Sequence, residues 1–337
     1  MNGVGIIGAG GWGTAIAVML GKRGVPVTLW ARRPEVAAAL SSERENAVYL
    51  PGIRLPDAVS VTGDLAAAAA HRFLVLAVPS QAVGRVWAEV VRHITPAHTV
   101  LNVAKGLDEA TGRRLSEVIA AQPSPVPVER LAVLSGPNHA EEVGRGVPTA
   151  SVVASASRST AELWQELLMG PEFRVYTNDD VAGVELGGAL KNVIALAAGM
   201  SDGLGFGDNT KAAIITRGLS EMARLGAAMG ARVLTFSGLS GMGDLVATCT
   251  SGHSRNMRAG RRIGRGEPPD AVAASTPMVI EGVPTCRAAL ILAKRYGVDM
   301  PITEAVGAVL FDGKAPSEAV AELMGRGPKD ELQALLS

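Results

Sequence analysis

The stretch Gly8-Ala9-Gly10-Gly11-Trp12-Gly13 constrains this chain more than any other. Its spacing is G-x-G-x-x-G. It directly follows a short apolar run at residues 4–7 and directly opens a stretch of helical periodicity at residues 14–23. That strand-turn-helix setting separates a phosphate-binding turn from glycines in an ordinary loop. The first glycine permits the tight turn, the second lets the backbone approach a pyrophosphate, and the third lets helix pack on strand. Free N–H groups at the helix start then face an anion. The chain is therefore expected to bind a dinucleotide, with Gly8, Gly10, Gly11, Trp12 and Gly13 at the phosphates.

The same alternation continues. Residues 4–7, 27–30, 73–78, 100–103, 131–134 and 150–154 are short runs rich in Val, Ile and Leu, bounded by Gly, Pro or Ser. They read as buried strands. Helical stretches at 14–23, 35–44, 81–93 and 113–121 fall between them. Strands apolar on both faces and separated by helices imply a mostly parallel sheet covered on both sides. Past Asp179-Asp180 the strand-like runs stop, and helical patterns occupy 181–200, 210–229, 255–265, 283–296 and 301–311. The expected fold is an α/β Rossmann-like doubly wound sheet followed by an all-α C-terminal domain. The expected boundaries are 1–180 for the NAD(P)-binding domain and 181–337 for the helical substrate and catalytic domain, and 337 residues suffice for two cores.

Charge narrows the partners. The 32 basic residues balance the 32 acidic ones, so no global field favours nucleic acid or an anionic membrane. Any anion must be held locally. Two cysteines, Cys249 and Cys286, make neither a disulfide framework nor a zinc site, and no metal is expected. No basic leader precedes the first strand, and no apolar run reaches the about 18 to 20 residues of a membrane span. The expectation is a cytoplasmic protein.

The end of the second strand bears on the cofactor. A carboxylate there usually holds the ribose 2′-hydroxyl of NAD, but this chain reads Trp30-Ala31-Arg32-Arg33. Arginine pairs with a 2′-phosphate, which a carboxylate repels. NADPH is the expected preference, with NADH as the alternative.

The catalytic signal lies in the second half. Residues 186–200 read LGGALKNVIALAAGM, in which only Lys191 and Asn192 are polar. A helix apolar on every side is buried, and a buried ammonium without a partner is costly enough to shift its pKa or demand a counter-ion. Residues 237–244 form a glycine-rich loop ending in Asp244, followed by Thr248, Thr250 and Ser251. The segment Gly252-His253-Ser254-Arg255-Asn256 then enters a helix with backbone N–H groups and a guanidinium suited to a phosphate.

These segments, with VAKGL at 103–107, LSGPNHAEEV at 134–143, NTKAAIITRGLSEM at 209–222 and VIEGVPT at 279–285, resemble bacterial NAD(P)-dependent glycerol-3-phosphate dehydrogenases from residue 4 to about residue 325. The resemblance implies reversible reduction of dihydroxyacetone phosphate to sn-glycerol 3-phosphate, which feeds glycerophospholipid synthesis. It makes Lys191 the proton-transfer residue. Lys105, Gly136, Asn138, Asp244, Ser254, Arg255 and Asn256 become substrate contacts. Gly11, Trp12, Arg32, Tyr49, Lys105, Ala140, Arg255, Val279 and Glu281 fall at cofactor-contacting positions, with Arg33 beside Arg32. Asn138-His139 departs from the hydroxyl-aromatic pair common in relatives. Apolar helices in the second domain suggest a homodimer, with a monomer whose helical domain is well packed as the alternative. The alternatives are a dehydrogenase of the same build acting on β-hydroxyacids or a branched keto acid, and a nucleotide sensor without chemistry.

Overall fold

A computed structural model describes residues 3–276, 278–328 and 330–331. Its strands are β1 (Val4–Ile7), β2 (Val27–Trp30), β3 (Glu45–Asn46), β4 (Leu50–Arg54), β5 (Val59–Thr62), β6 (Phe73–Leu76), β7 (Thr99–Asn102), β8 (Leu131–Ser135), β9 (Thr149–Ala154) and β10 (Phe173–Asn178). Eight of them form one sheet in the order β10-β9-β8-β7-β6-β1-β2-β5, while β3 and β4 pair separately. Within the large sheet every neighbouring pair is parallel except β8 with β9.

Side-chain alternation explains why the central strands are continuously apolar. Val4, Ile6, Phe73, Val75 and Leu101 feed a core on one face with Ile16 and Trp164. Ile7, Leu74, Leu76 and Val100 feed a second core on the other face with Trp87 and Ile119. Successive residues of one strand thus serve opposite layers. From β1 the chain winds out to β2 and β5, then crosses back to β6 on the other side of β1. Sheets of this kind take ligands at the carboxyl ends of the strands beside such a reversal.

The chain divides into two compact units. One contains the residues up to Ala104 together with Leu115–Val181; the other contains Lys105–Arg114 and the residues from Ala182 onward. A single cut near residue 180 does not describe the detour of residues 105–114. The detour also moves a helix start, because Arg114 pairs with Leu107 in an isolated bridge and the helix expected from 113 begins at Leu115.

Among the described residues the second unit is helical apart from that bridge. Its axis is the helix Val181–Gly203. This helix is long and apolar enough to cross a membrane, yet 89% of its apolar window is buried inside the protein. It lies against the helix Arg255–Gly264 along a glycine seam. A Cβ on Gly199 or Gly203 would sit 2.3 Å from the carbonyl oxygens of Met257 and Arg261. One on Gly260 or Gly264 would sit 2.2 Å from those of Leu196 and Met200. The two backbones therefore touch, closer than any side chain allows. That contact sets where Lys191 and Asn192 stand relative to Asn256.

Candidate active site

The glycine turn is built as its spacing requires. Gly8 has φ +123°, a conformation open to glycine, and a Cβ there would lie 2.6 Å from the carbonyl oxygen of Ala77. A Cβ on Gly13 would meet the Gly8 carbonyl at 2.0 Å, while Gly10 faces open space. The helix Gly11–Lys22 starts with no side-chain cap and no acidic residue in its first turn, so its first N–H groups remain available to an anion. Trp12 Nε1 is buried without a hydrogen-bond partner among the described residues. An orphaned donor, uncapped amides and an open second glycine fit a dinucleotide diphosphate.

Other expected cofactor positions gather here. Tyr49 brings its carbonyl oxygen, and Ala140 its methyl, to the Gly11 side of the turn. Arg32 and Arg33 are exposed at the end of β2, which pairs with β1; Arg33 lies 3.8 Å from Glu35, also exposed. Gly136 follows β8 with φ +130°, and Asn138 is buried with its amide donating to Ser151 at 2.9 Å. Asn46 was not anticipated. Its buried amide donates to the Ala9 carbonyl at 3.0 Å and to Thr14 at 2.8 Å, and its oxygen accepts from the Tyr49 N–H at 3.3 Å. It braces the turn from behind.

The second unit holds a charged centre. Lys191, 5% exposed, donates to Asp244 and to the Thr248 hydroxyl at 2.7 Å. Lys105 donates to the other oxygen of the same carboxylate at 2.8 Å. Thr248 in turn donates to the Asp244 carbonyl at 2.6 Å. Burial pushes the Lys105 ammonium down to about 8; Asp244 opposes that fall, and the like charge of Lys191 adds to it. Burial also works against ionisation of Asp244, yet the two ammonium groups hold its carboxyl below the usual range. Two cations on one anion leave a surplus positive charge, suited to an oxygen gaining negative charge.

Asp244 is delivered by an unusual turn. Leu239–Gly243 is a π-helical turn directly preceding the helix Asp244–Thr250. Such turns are rare and occur frequently at functional sites. It packs on the lysine helix at Gly187, where a Cβ would meet the Ser240 carbonyl at 2.6 Å.

Beside this centre, Asn256 donates to Asn192 and accepts from the Gly282 N–H, both at 2.9 Å. Ser254 caps the helix Arg255–Gly264 by accepting from the Met257 N–H. Arg255 is exposed at that helix start and donates to the Val279 carbonyl at 3.2 Å. Glu281 stands at the N-cap of the helix Gly282–Tyr296. Burial pushes the Cys249 and Cys286 thiols up to about 12, as expected of packing residues.

Known proteins are similar to this chain along nearly its whole length. Models of the N-terminus and C-terminus of NAD-dependent glycerol-3-phosphate dehydrogenase match residues 3–161 and 180–321. A glycerol-3-phosphate dehydrogenase [NAD(P)+] of Moorella thermoacetica is 54% identical over 333 residues, 98% of either chain. Its counterpart in Desulfitobacterium hafniense is 51% identical over 330 residues, 98% of this chain and 93% of the relative. The crystal structure of glycerol-3-phosphate dehydrogenase from Coxiella burnetii superposes with a TM-score of 0.92 at 38% identity, covering 96% of this chain and 99% of that one. A D-mandelate dehydrogenase, at 13% identity and a TM-score of 0.62, shares the fold alone. The chain belongs to the NAD-dependent glycerol-3-phosphate dehydrogenase family.

Proposed function

We propose that this chain reduces dihydroxyacetone phosphate to sn-glycerol 3-phosphate, reversibly and with NADPH or NADH, and so supplies glycerophospholipid synthesis. The observation that carries the reading is the buried Lys191–Asp244–Lys105 centre in a chain of this family. When bound, the nicotinamide cofactor supplies the hydride, which no side chain can.

The protein's part is charge and proton handling. As the ketone carbon is reduced, negative charge builds on its oxygen. The Lys191 ammonium polarises that oxygen and gives it the proton; in the reverse direction the amine takes the proton back. Lys105 adds positive charge, and Asp244 holds both lysines in place. Arg255 and the N–H groups of residues 254–256 grip the phosphate, where the helix start carries no acidic residue. Asn256 ties that end to the lysine helix through Asn192. Gly136 and Asn138 complete the substrate contacts. Gly8, Gly10, Gly11, Trp12, Gly13, Tyr49, Ala140, Val279 and Glu281 hold the cofactor, with Lys105 and Arg255 shared between both ligands. Arg32 and Arg33 favour the 2′-phosphate, so NADPH is the preferred form. We read the protein as cytoplasmic and as a homodimer.

Absorbance at 340 nm after adding dihydroxyacetone phosphate to enzyme and NADPH tests the activity. Lys191→Ala is expected to retain NADPH binding while kcat collapses; near-normal turnover would remove Lys191 from the chemistry.

A further inference from the structure

The chemistry above makes no use of a buried ion pair close to its centre. Arg114 Nη1 lies 3.0 Å from Glu185 Oε2, with the side chains 17% and 5% exposed. Glu185 stands on the helix Val181–Gly203 that also carries Lys191. Arg114 ends the detour of residues 105–114, whose first residue is Lys105.

That detour is a hairpin. Leu107 and Arg114 face each other in an antiparallel bridge. The Asp108 carboxylate accepts from the Thr111 N–H and hydroxyl at 2.9 and 2.6 Å, and Gly112, at φ +71°, turns against Leu292. Leu107 is fully buried in the helical core. At the tip, Arg287 meets Glu109 at 3.4 Å, but both side chains are more than a third exposed and hold little.

Lys105 stands where burial and the charge of Lys191 both oppose it. A residue in that position needs its backbone held. A buried ion pair does this well: it adds little net stability, but it disfavours every register that leaves one charge unpaired. We propose that Arg114 and Glu185 are positioning residues for Lys105, clamping its hairpin to the Lys191 helix so that the two ammonium groups meet on Asp244. The proposal rests on the reading of Lys105 as a substrate contact.

A double-mutant cycle tests it. Arg114→Met is expected to lower kcat about 10- to 100-fold, the effect of misplacing a group by about 1 Å. In a Lys105→Ala background the same change should cost less than about twofold, because nothing remains to be placed. Equal losses in both backgrounds overturn the proposal and leave the pair a merely structural role. Glu185→Gln, which keeps shape and an acceptor, should show the same non-additivity and serves if Arg114→Met does not fold. Exchanging the charges, Arg114→Glu with Glu185→Arg, should recover part of the lost kcat. Unchanged kcat in Lys105→Ala alone overturns the reading of Lys105, and the clamp with it; that result is distinct from additive losses.

Discussion

Replacing Asp244 by Asn keeps the shape of the charged centre and removes the carboxylate that both lysines meet. Lys105 and Lys191 then confront each other with a neutral amide between them. Leaving a buried charge without its partner costs about 3–5 kcal/mol. At about 2–4 °C per kcal/mol for a unit of this size, Tm should fall by roughly 10 °C. The pH dependence is more diagnostic. In the native protein Lys105 titrates near 8, below its usual 10.5, so folding carries a penalty of about 3 kcal/mol wherever both states are protonated. The penalty is full below pH 8 and fades as pH rises toward 10.5. Without Asp244 the Lys105 ammonium loses its main support and titrates lower still, so relief begins at lower pH. The gap in Tm between the two proteins should therefore be widest near pH 6 and narrow by pH 8 to 9. Melting curves from circular dichroism at 222 nm, taken at half-unit pH steps, read this directly. A gap that stays constant over that range, or an Asn variant as stable as the native protein at pH 6, would refute the account of this centre.

Gly187→Ala places a methyl 2.6 Å from the Ser240 carbonyl. The helix gains about 1 kcal/mol of propensity, overpacking costs about 1–3 kcal/mol, and the shifted π-helical turn should lower kcat more than KM; unchanged kcat would detach that turn from Asp244. Asn46→Ala removes three hydrogen bonds behind the phosphate turn, and the KM for NADPH should rise about 10-fold while kcat changes little. Burial pushes the Glu221 carboxyl up to about 7 despite donors from Ile302 and Thr303. Its folded form favours the proton, so native stability falls by about 3 kcal/mol as pH rises from 4.5 to 7; Glu221→Gln should lack that slope in melts across the same range. Arg32→Ser with Arg33→Ser should raise the KM for NADPH and spare that for NADH, and equal changes in both would assign the arginines to solvent.

Strands buried on both faces were legible because every residue of β1, β6 and β7 is buried and their apolar side chains feed one core or the other. The sheet edges were not. In β10, Phe173 and Val175 are buried while Arg174, Tyr176 and Thr177 are exposed, so no continuous apolar run marks it. Lys191 stood out as a lone charge in an apolar helix, and Asp244 as the end of a glycine-rich loop. Lys105 is 139 residues from Asp244 along the chain, and only the family resemblance pointed to it. Thr248 sits one helical turn after Asp244, a spacing visible in sequence whose meaning depends on Lys191 arriving from another helix. Asn46 carries no signal of its own, because a polar residue before a short turn is commonplace. The hairpin of residues 105–114 escaped for a different reason: composition changes once along the chain, whereas the path of the chain changes units three times.

The glycine seam between the helices Val181–Gly203 and Arg255–Gly264 has a consequence for selectivity. Backbone pressed on backbone cannot compress, and with glycine on both sides there is no side chain left to trim. If Lys191 marks the carbonyl end of the substrate and Arg255 its phosphate, the seam is a caliper whose jaws are set by main-chain atoms. Drift at surrounding positions can alter the grip of each jaw but not the gap between them. Any residue larger than glycine at 199, 203, 260 or 264 only widens it. A three-carbon phosphate is then measured by length, and a relative that came to accept a longer one should carry its change in this seam rather than among the charged groups.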